Sequence, residues 1–329
     1  MSTFALFLFG SFLLLHVSGL KHDDALIKLN HEIDSSAFEI RACTACNGTQ
    51  AKAIVFTTVS LASNLVNVNW TKNWVLSLQD VGIARPLIIG SDTGETCHEL
   101  SLNGVCSCVT YAAAHFEHAP DYLPLINFRD GEHHAAVDLK YAYANLLLRR
   151  GYVTIFSDND VVWKQHPLSN YSENADFEGL SDDREGRDLL DWRDAPACGL
   201  RYGAPCMSTG LWRATPGPQT LNLIGLMIER ILKTKTWEQS LFNKLVRTFN
   251  KKHRDFTFRI LAKERFHNVG VLEKRLSAGM AVDSVAIHLG YVHGHEKIVT
   301  YQGMGLWRPD GELRPSCNVD TNQPVISGR

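Results

Sequence analysis

Asp158-Asn159-Asp160 sets two carboxylates two residues apart, at the end of the apolar run Tyr152-Val153-Thr154-Ile155-Phe156. So dense a cluster of β-branched and aromatic residues, opened by Gly151, reads as a buried strand. The chain turns polar over Ser157 to Asp160 and returns at once to apolar Val161-Val162-Trp163. Like charges this close raise each other's pKa unless a cation lies between them. Mg²⁺ and Mn²⁺ take oxygen ligands and bind through one or two carboxylates together with substrate phosphates. Open α/β sheets hold such ligands beyond the carboxyl ends of their strands. The chemistry this stretch suits is a divalent ion, Mn²⁺ or Mg²⁺, set against a diphosphate. An Asp-x-Asp without this setting is usually a turn, because Asn and Asp favour turns. The apolar segments on both sides favour the site.

Such a site needs strands and helices to position it. Ala53-Ile54-Val55-Phe56 predicts a buried strand ending at Thr57-Thr58, and Pro86 to Gly90 a second one. Between them Leu65, Val68, Val75 and Leu78, with Trp70 and Trp74 four apart, fit an amphipathic helix over 64–78. A strand, a helix and a strand in this order imply parallel pairing with a right-handed crossover. His133 to Arg150 predicts a helix with Lys140 inside it, and Gln219 to Lys233 another with a clear apolar face. The segment 93–130 reads as loop-rich, 178–194 as a charged, solvated loop, and 301–329 carries loop signals only. Near the end of the chain, Val285-Ala286-Ile287 is a buried strand closing on His288, whose neutral imidazole suits a metal. Gly294 and Lys297 follow at a loop turn, where a Lys can neutralise a leaving diphosphate.

The Ser-Asp-x-Asp-Val-Val-Trp run resembles the nucleotide-diphospho-sugar transferases, in particular glycosyltransferase family 77. The likeness extends over roughly residues 51–310. Cys206-Met207-Ser208-Thr209-Gly210 is similar to that family's Asn-Thr-Gly motif, with Ser208 in place of Asn. Trp237-Glu238-Gln239-Ser240-Leu241-Phe242-Asn243 is similar to its Trp-Asp-Gln-x-x-Phe-Asn, with Glu238 in place of Asp. The resemblance implies an α/β fold of the GT-A type: one large domain with a central, mostly parallel sheet flanked by helices. It implies a metal held by Asp158, Asp160 and His288. Thr57, Thr58, Lys140, Asp158 and Lys297 would then bind the donor, and Glu238, Gln239 and Lys297 would serve catalysis. The implied partners are a nucleotide-diphospho-sugar donor and a glycan or glycoprotein acceptor, with transfer that retains anomeric configuration. Each residue also has a structural reading. Hydroxyls at 57 and 58 can close a strand end, Lys140 can lie solvated on a helix, and Glu238 can sit at a helix N-terminus.

The composition suits one large globular domain or two small ones and argues against nucleic acid as partner. The chain has 329 residues, 45% hydrophobic and 21% charged, with a net charge of −2. That supplies ample core and leaves no basic footprint. Phe4 to Leu15 is an apolar run shorter than the ~20 residues a bilayer span needs. Residues 1–19 therefore read as a signal peptide cleaved near Gly19, or as a short type II membrane anchor. Residues 20–50 read as a stem, 51–310 as the transferase domain and 311–329 as a tail. The implied location is the secretory route, in the Golgi lumen or secreted. Eight cysteines, an even number, suit disulfides there, with Cys198–Cys206 the nearest local pair. Zinc on Cys43, Cys46, Cys106 and Cys108 is the competing reading. Sequons at Asn47, Asn69 and Asn170 suit N-glycans in the same compartment. Two functional alternatives stand beside the transferase. A haloacid-dehalogenase phosphatase would use Asp158 as nucleophile and Asp160 as general acid. A secreted binding protein would hold the metal without turnover.

Overall fold

The computed structural model describes residues 29–36, 38–40, 51–60, 65–91, 94–110, 132–169, 171–172, 174–183, 207–234 and 238–314. Residues 29–36 form helix α1. It is followed by β1 (Phe38–Ile40), β2 (Ala51–Val59), α2 (Leu65–Asp80), β3 (Leu87–Gly90), α3 (Glu95–Leu102) and β4 (Cys108–Thr110). The middle of the chain supplies α4 (Glu132–Arg149), β5 (Val153–Ser157), β6 (Val161–Trp163), β7 (Phe177–Ser181) and β8 (Met207–Ala214). The rest comprises α5 (Pro218–Lys233), α6 (Glu238–Lys252), β9 (Phe258–Ile260), β10 (Phe266–Asn268), α7 (Val269–Ser277), β11 (Ala286–His288) and α8 (Gly294–Gly303).

The main sheet runs β4-β3-β2-β5-β8-β7-β9, with β1 added antiparallel at the start of β2. Along that path only β8 opposes its neighbours, so the sheet is mostly parallel, as expected. Side chains alternate across a strand, and the two faces make two cores. Ile54, Phe56, Phe156 and Trp212 pack beneath α4, α5 and α6. Val55, Ile88, Ile155 and Leu211 pack against Trp74, Val75 and Leu78 of α2. Trp212 is the hub of the first core, with the rings of Phe156 and Phe177 at 5.4 and 5.2 Å from its own. From Leu139 onward helix α4 is buried on nearly every side, because α5 covers the face turned away from the sheet. Leu29 and Ile33 of α1 join the same core, so packing reaches upstream of residue 51.

A second sheet, β10-β11-β6, lies beside the first. Strand β6 leaves the line of β5 immediately after the Asp-x-Asp and pairs antiparallel with β11, which sets His288 opposite Val161. Trp70, Val162, Ile287 and Tyr301 form a small core that binds this sheet to α2 and α8.

Four expectations are corrected. Residues 178–183 are not a solvated loop: Phe177–Ser181 is a buried strand. Its Glu178 pairs with Arg213 of the adjacent strand at 3.2 Å, and backbone N–H of Ser172 donates to both its carboxylate oxygens. Gly294 and Lys297 lie in helix α8 rather than a loop turn. Tyr301 is fully buried rather than part of a terminal loop. The zinc reading fails because Cys108 is disulfide-bonded to Cys97 and Cys106 is also in a disulfide. Cys198 and Cys206 lie outside the described residues, as does the N-terminal apolar run. Among the described residues, no helix is long and apolar enough to cross a membrane.

The bridge between Cys97 and Cys108 ties α3 to β4 beside the sheet edge. Closing a loop of this size stabilises a fold by about 2–3 kcal/mol in the chain-entropy account. Labelling of the denatured, unreduced protein with a thiol reagent should leave Cys97, Cys106 and Cys108 unmodified, and reduction should expose them. Modification of Cys97 and Cys108 before reduction would contradict the bridge.

Candidate active site

Three elements deliver the groups that the Asp-x-Asp needs. Strand β5 ends at Ser157, whose Oγ accepts from the indole N–H of Trp74 at 2.7 Å and lies 3.4 Å from that of Trp163. Two indoles on one hydroxyl fix the strand end just before the carboxylates. The turn then closes through Asp158 N–H to Gly210 O at 2.7 Å and Val161 N–H to Asp158 O at 3.1 Å. Asn159 Nδ2 donates to Thr71 Oγ1 of α2 at 3.1 Å. The buried Tyr301 hydroxyl lies within reach of two carbonyls, Asp160 O at 2.9 Å and Ile287 O at 3.1 Å, and so joins the turn to β11.

His288 Nε2 lies 3.3 Å from Asp160 Oδ1 and 3.8 Å from Asp158 Oδ2. One ligand atom from each of the three residues falls within 4.8 Å of the others. Lys297, reaching in from α8, donates to the other Asp160 oxygen at 2.5 Å. Asp160 Oδ1 is buried with no hydrogen-bond partner in line, and His288 Nε2 is the cationic group nearest to it. An orphaned carboxylate oxygen facing a second carboxylate and an imidazole is a donor set that suits Mn²⁺ or Mg²⁺. Asp158 is the more open of the pair, with 43% of its side chain exposed against 22% for Asp160. Burial disfavours the charge on Asp160, but Lys297 and His288 outweigh it and hold the carboxyl well below the usual range. Burial likewise opposes charge on His288, while Asp160 and Asp158 raise its pKa overall. A divalent ion here competes with that proton.

The floor of the site is Gly210. A β-carbon at this position would lie 2.5 Å from Asp158 Oδ2 and 2.5 Å from His288 Cε1. Both are closer than real contacts allow, so the bare backbone of β8 is what lets the carboxylate and the imidazole meet.

Behind the floor lies a second charged group. Lys140 of α4 pairs with Glu238 at the start of α6, and both are buried. Tyr141 Oη also donates to Glu238, at 3.1 Å, and Lys140 Nζ donates to Thr209 O at 3.3 Å. Gln239 Oε1 accepts from Thr209 N–H at 3.1 Å, and Gln239 Nε2 donates to Asp182 Oδ2 at 2.7 Å. Asn243 takes both the N–H and the C=O of Met207 at 2.8 Å. Helix α6 thus satisfies the backbone of β8 where β5 no longer covers it.

The structure brings together Asp158, Asp160, His288 and Lys297, and places Lys140, Glu238 and Gln239 around the adjoining stretch of β8. Lys140 is not the solvated lysine that its helix position also allowed. Thr57 and Thr58 lie at the carboxyl end of β2, beside β5, but the pleat turns them to opposite faces. Thr57 Oγ1 is buried without a partner, and Thr58 is half-buried. Sequence reasoning missed Ser157, Tyr301 and the steric role of Gly210. Of these, only Gly210 carried a signal, as the glycine inside an apolar strand.

An α/β sheet of this order with this cluster at its carboxyl edge can hold a divalent ion against a diphosphate. The family model described as nucleotide-diphospho-sugar transferase matches residues 88–300. The chain belongs to that family, which sets the phosphatase alternative aside. Its curated relatives include the Arabidopsis thaliana arabinosyltransferases RRA2 and RRA1. RRA2 is 24% identical over 66% of this chain and 52% of its own length. RRA1 is 21% identical over 66% of this chain and 55% of its own. The chain spans about half the length of these relatives. Among solved structures, the galactosyltransferase LgtC aligns with a TM-score of 0.48 at 12% identity, covering 81% of this chain and 98% of that one. Mouse xyloside xylosyltransferase 1 aligns at 0.44 and 11%, covering 73% and 98%.

Gly210→Ala tests the site without touching a ligand. The fold should hold, since the backbone here is an ordinary strand. The added methyl should push Asp158 and His288 apart and weaken Mn²⁺ binding by about 10- to 100-fold, the range seen when groups supporting metal ligands are altered. Calorimetric titration with Mn²⁺, alongside thermal unfolding, measures both. Unchanged Mn²⁺ affinity would contradict this geometry.

Proposed function

We propose that the protein transfers a glycosyl group from a nucleotide-diphosphate donor to a glycan or glycoprotein acceptor, with Mn²⁺ or Mg²⁺ held by Asp158, Asp160 and His288. The observation that supports this reading is the convergence of those three residues over the bare backbone of Gly210. When bound, the ion supplies positive charge against the diphosphate as the anomeric C–O bond breaks. Lys297 is the second positive group. It holds its ammonium beside Asp160, next to where a diphosphate oxygen would lie, and neutralises charge that grows as the diphosphate leaves.

Glu238 and Gln239 serve the sugar end. Lys140 and Tyr141 hold Glu238 in place, so Lys140 is a positioning residue acting through that carboxylate. Gln239 is held by Thr209 and Asp182 and presents its amide beside the same strand. Thr58, half-buried at the close of β2, serves the nucleotide end, while Thr57 is buried on the other face. The curated relatives are named arabinosyltransferases, so an arabinosyl donor is the first to test. Disulfides accord with an oxidising compartment, which favours the secretory route.

Asp160→Asn keeps the shape of the side chain and removes one charge. It should abolish metal-dependent donor binding and lower turnover on the order of 10²–10³-fold, as expected when one charge-stabilising group is lost. The measurement is calorimetric binding of a nucleotide-sugar panel that includes UDP-arabinose, with and without Mn²⁺. Metal-independent donor binding that survives Asp160→Asn would contradict the proposal.

A further inference from the structure

Tyr291 sits between two groups of the site, on the connection from His288 at the end of β11 to Lys297 in α8. Among the described residues it is the one non-glycine residue with a positive φ, 68°. Aromatic residues rarely adopt this conformation, and it persists only where the surroundings hold it. The hold is visible at the tip of the ring. Tyr291 Oη donates to Asp182 Oδ2 at 2.5 Å, the oxygen that also receives Gln239 Nε2 at 2.7 Å. The phenol thus bridges from the β11–α8 connection to the residue just past β7, with Gln239 tying the same carboxylate to Thr209 beside Gly210.

A tyrosine fixed at both ends is usually part of a core. Tyr141 and Tyr301 are 0% exposed, whereas Tyr291 is 48% exposed. Such a ring is a rigid apolar surface that loses little entropy when a ligand covers it. The strand order says which ligand. Thr57 and Thr58 stand on β2, to one side of β5, while Asp182, Gln239 and Tyr291 stand toward β8 and β7 on the other. A donor that reaches from β2 to the Asp-x-Asp leaves the β7 side for the second substrate. Resting on the glycosyl-transfer reading above, we propose that Tyr291 is the platform on which the acceptor sugar ring packs, its angle set by Asp182. The apolar C–H face of a sugar ring matches the exposed phenol face, and the ring hydroxyls remain free for Asp182 and Gln239.

The test is the partition of the donor between water and acceptor. The full chain with Mn²⁺ is given the best nucleotide-sugar donor of the panel. Methyl glycosides of arabinofuranose, arabinopyranose, galactose and xylose are added below saturation. The ratio of transfer to hydrolysis does not depend on the fraction of folded protein. Tyr291→Ala should lower that ratio about tenfold, as loss of an aromatic contact would. Tyr291→Phe, which keeps the ring and loses the tether, should lower it less. An unchanged ratio in Tyr291→Ala would mean that the tyrosine only braces the connection, and would overturn the platform. So would an unaltered protein that hydrolyses donor yet glycosylates none of the four. An unaltered protein that neither binds nor hydrolyses any donor would overturn the glycosyl-transfer reading and this inference with it.

Discussion

Two carboxylates must sit close enough to share one cation, and the structure around them exists to make that tolerable. Like charges in a partly dry cleft repel strongly, and burial adds to the cost. Asp160 is stabilised by Lys297 and His288, which face its two oxygens from α8 and β11. Burial raises the pKa of Asp158, and Lys140 and His288 offset this only in part. Lys140 in turn is held by Glu238, which would otherwise add another negative charge behind the site. Cations and carboxylates alternate, so removing either Lys140 or Lys297 would leave an unpaired carboxylate beside its neighbours. The arrangement depends on one steric fact as much as on charge: the absent side chain at Gly210.

The fold solves the positioning problem by splitting one strand direction into two. β5 is central in the main sheet and carries the chain to the site. β6 then leaves for the small sheet, and the two carboxylates occupy the break. Antiparallel pairing of β6 with β11 fixes His288 opposite Val161, so the histidine's place follows from register rather than from a loop. The break is clamped on both sides, by Trp74 and Trp163 on Ser157 and by Tyr301 on the Asp160 carbonyl. A site held by elements is more exact than one held by loops.

Local chemistry was legible in the sequence where one segment carried the whole signal. The change from apolar strand to Ser-Asp-Asn-Asp and back is such a segment, and so is the short strand ending at His288. The nearly parallel sheet followed from the strand–helix–strand order. Charges with distant partners were not legible. Glu178 lies in a charged stretch that reads as solvated, but its partner Arg213 belongs to a neighbouring strand and turns the segment inward. Lys297 reads as a loop residue because Gly294 signals a turn; in the fold that glycine, at a φ of 53°, opens a helix. The need for glycine at 210 arises only when β5 and β11 meet over β8. Thr57 and Thr58 read as a pair, yet the pleat separates them.

Asp158, Asp160 and His288 should bind one ion together. Pulsed electron paramagnetic resonance of Mn²⁺ bound to the protein tests it most directly, because a directly bound imidazole couples its nitrogen to the metal spin. A single histidine nitrogen coupling is expected, which disappears in His288→Ala while Mn²⁺ still binds more weakly through the two carboxylates. A Mn²⁺ spectrum with no histidine nitrogen, or one unchanged by His288→Ala, would contradict it.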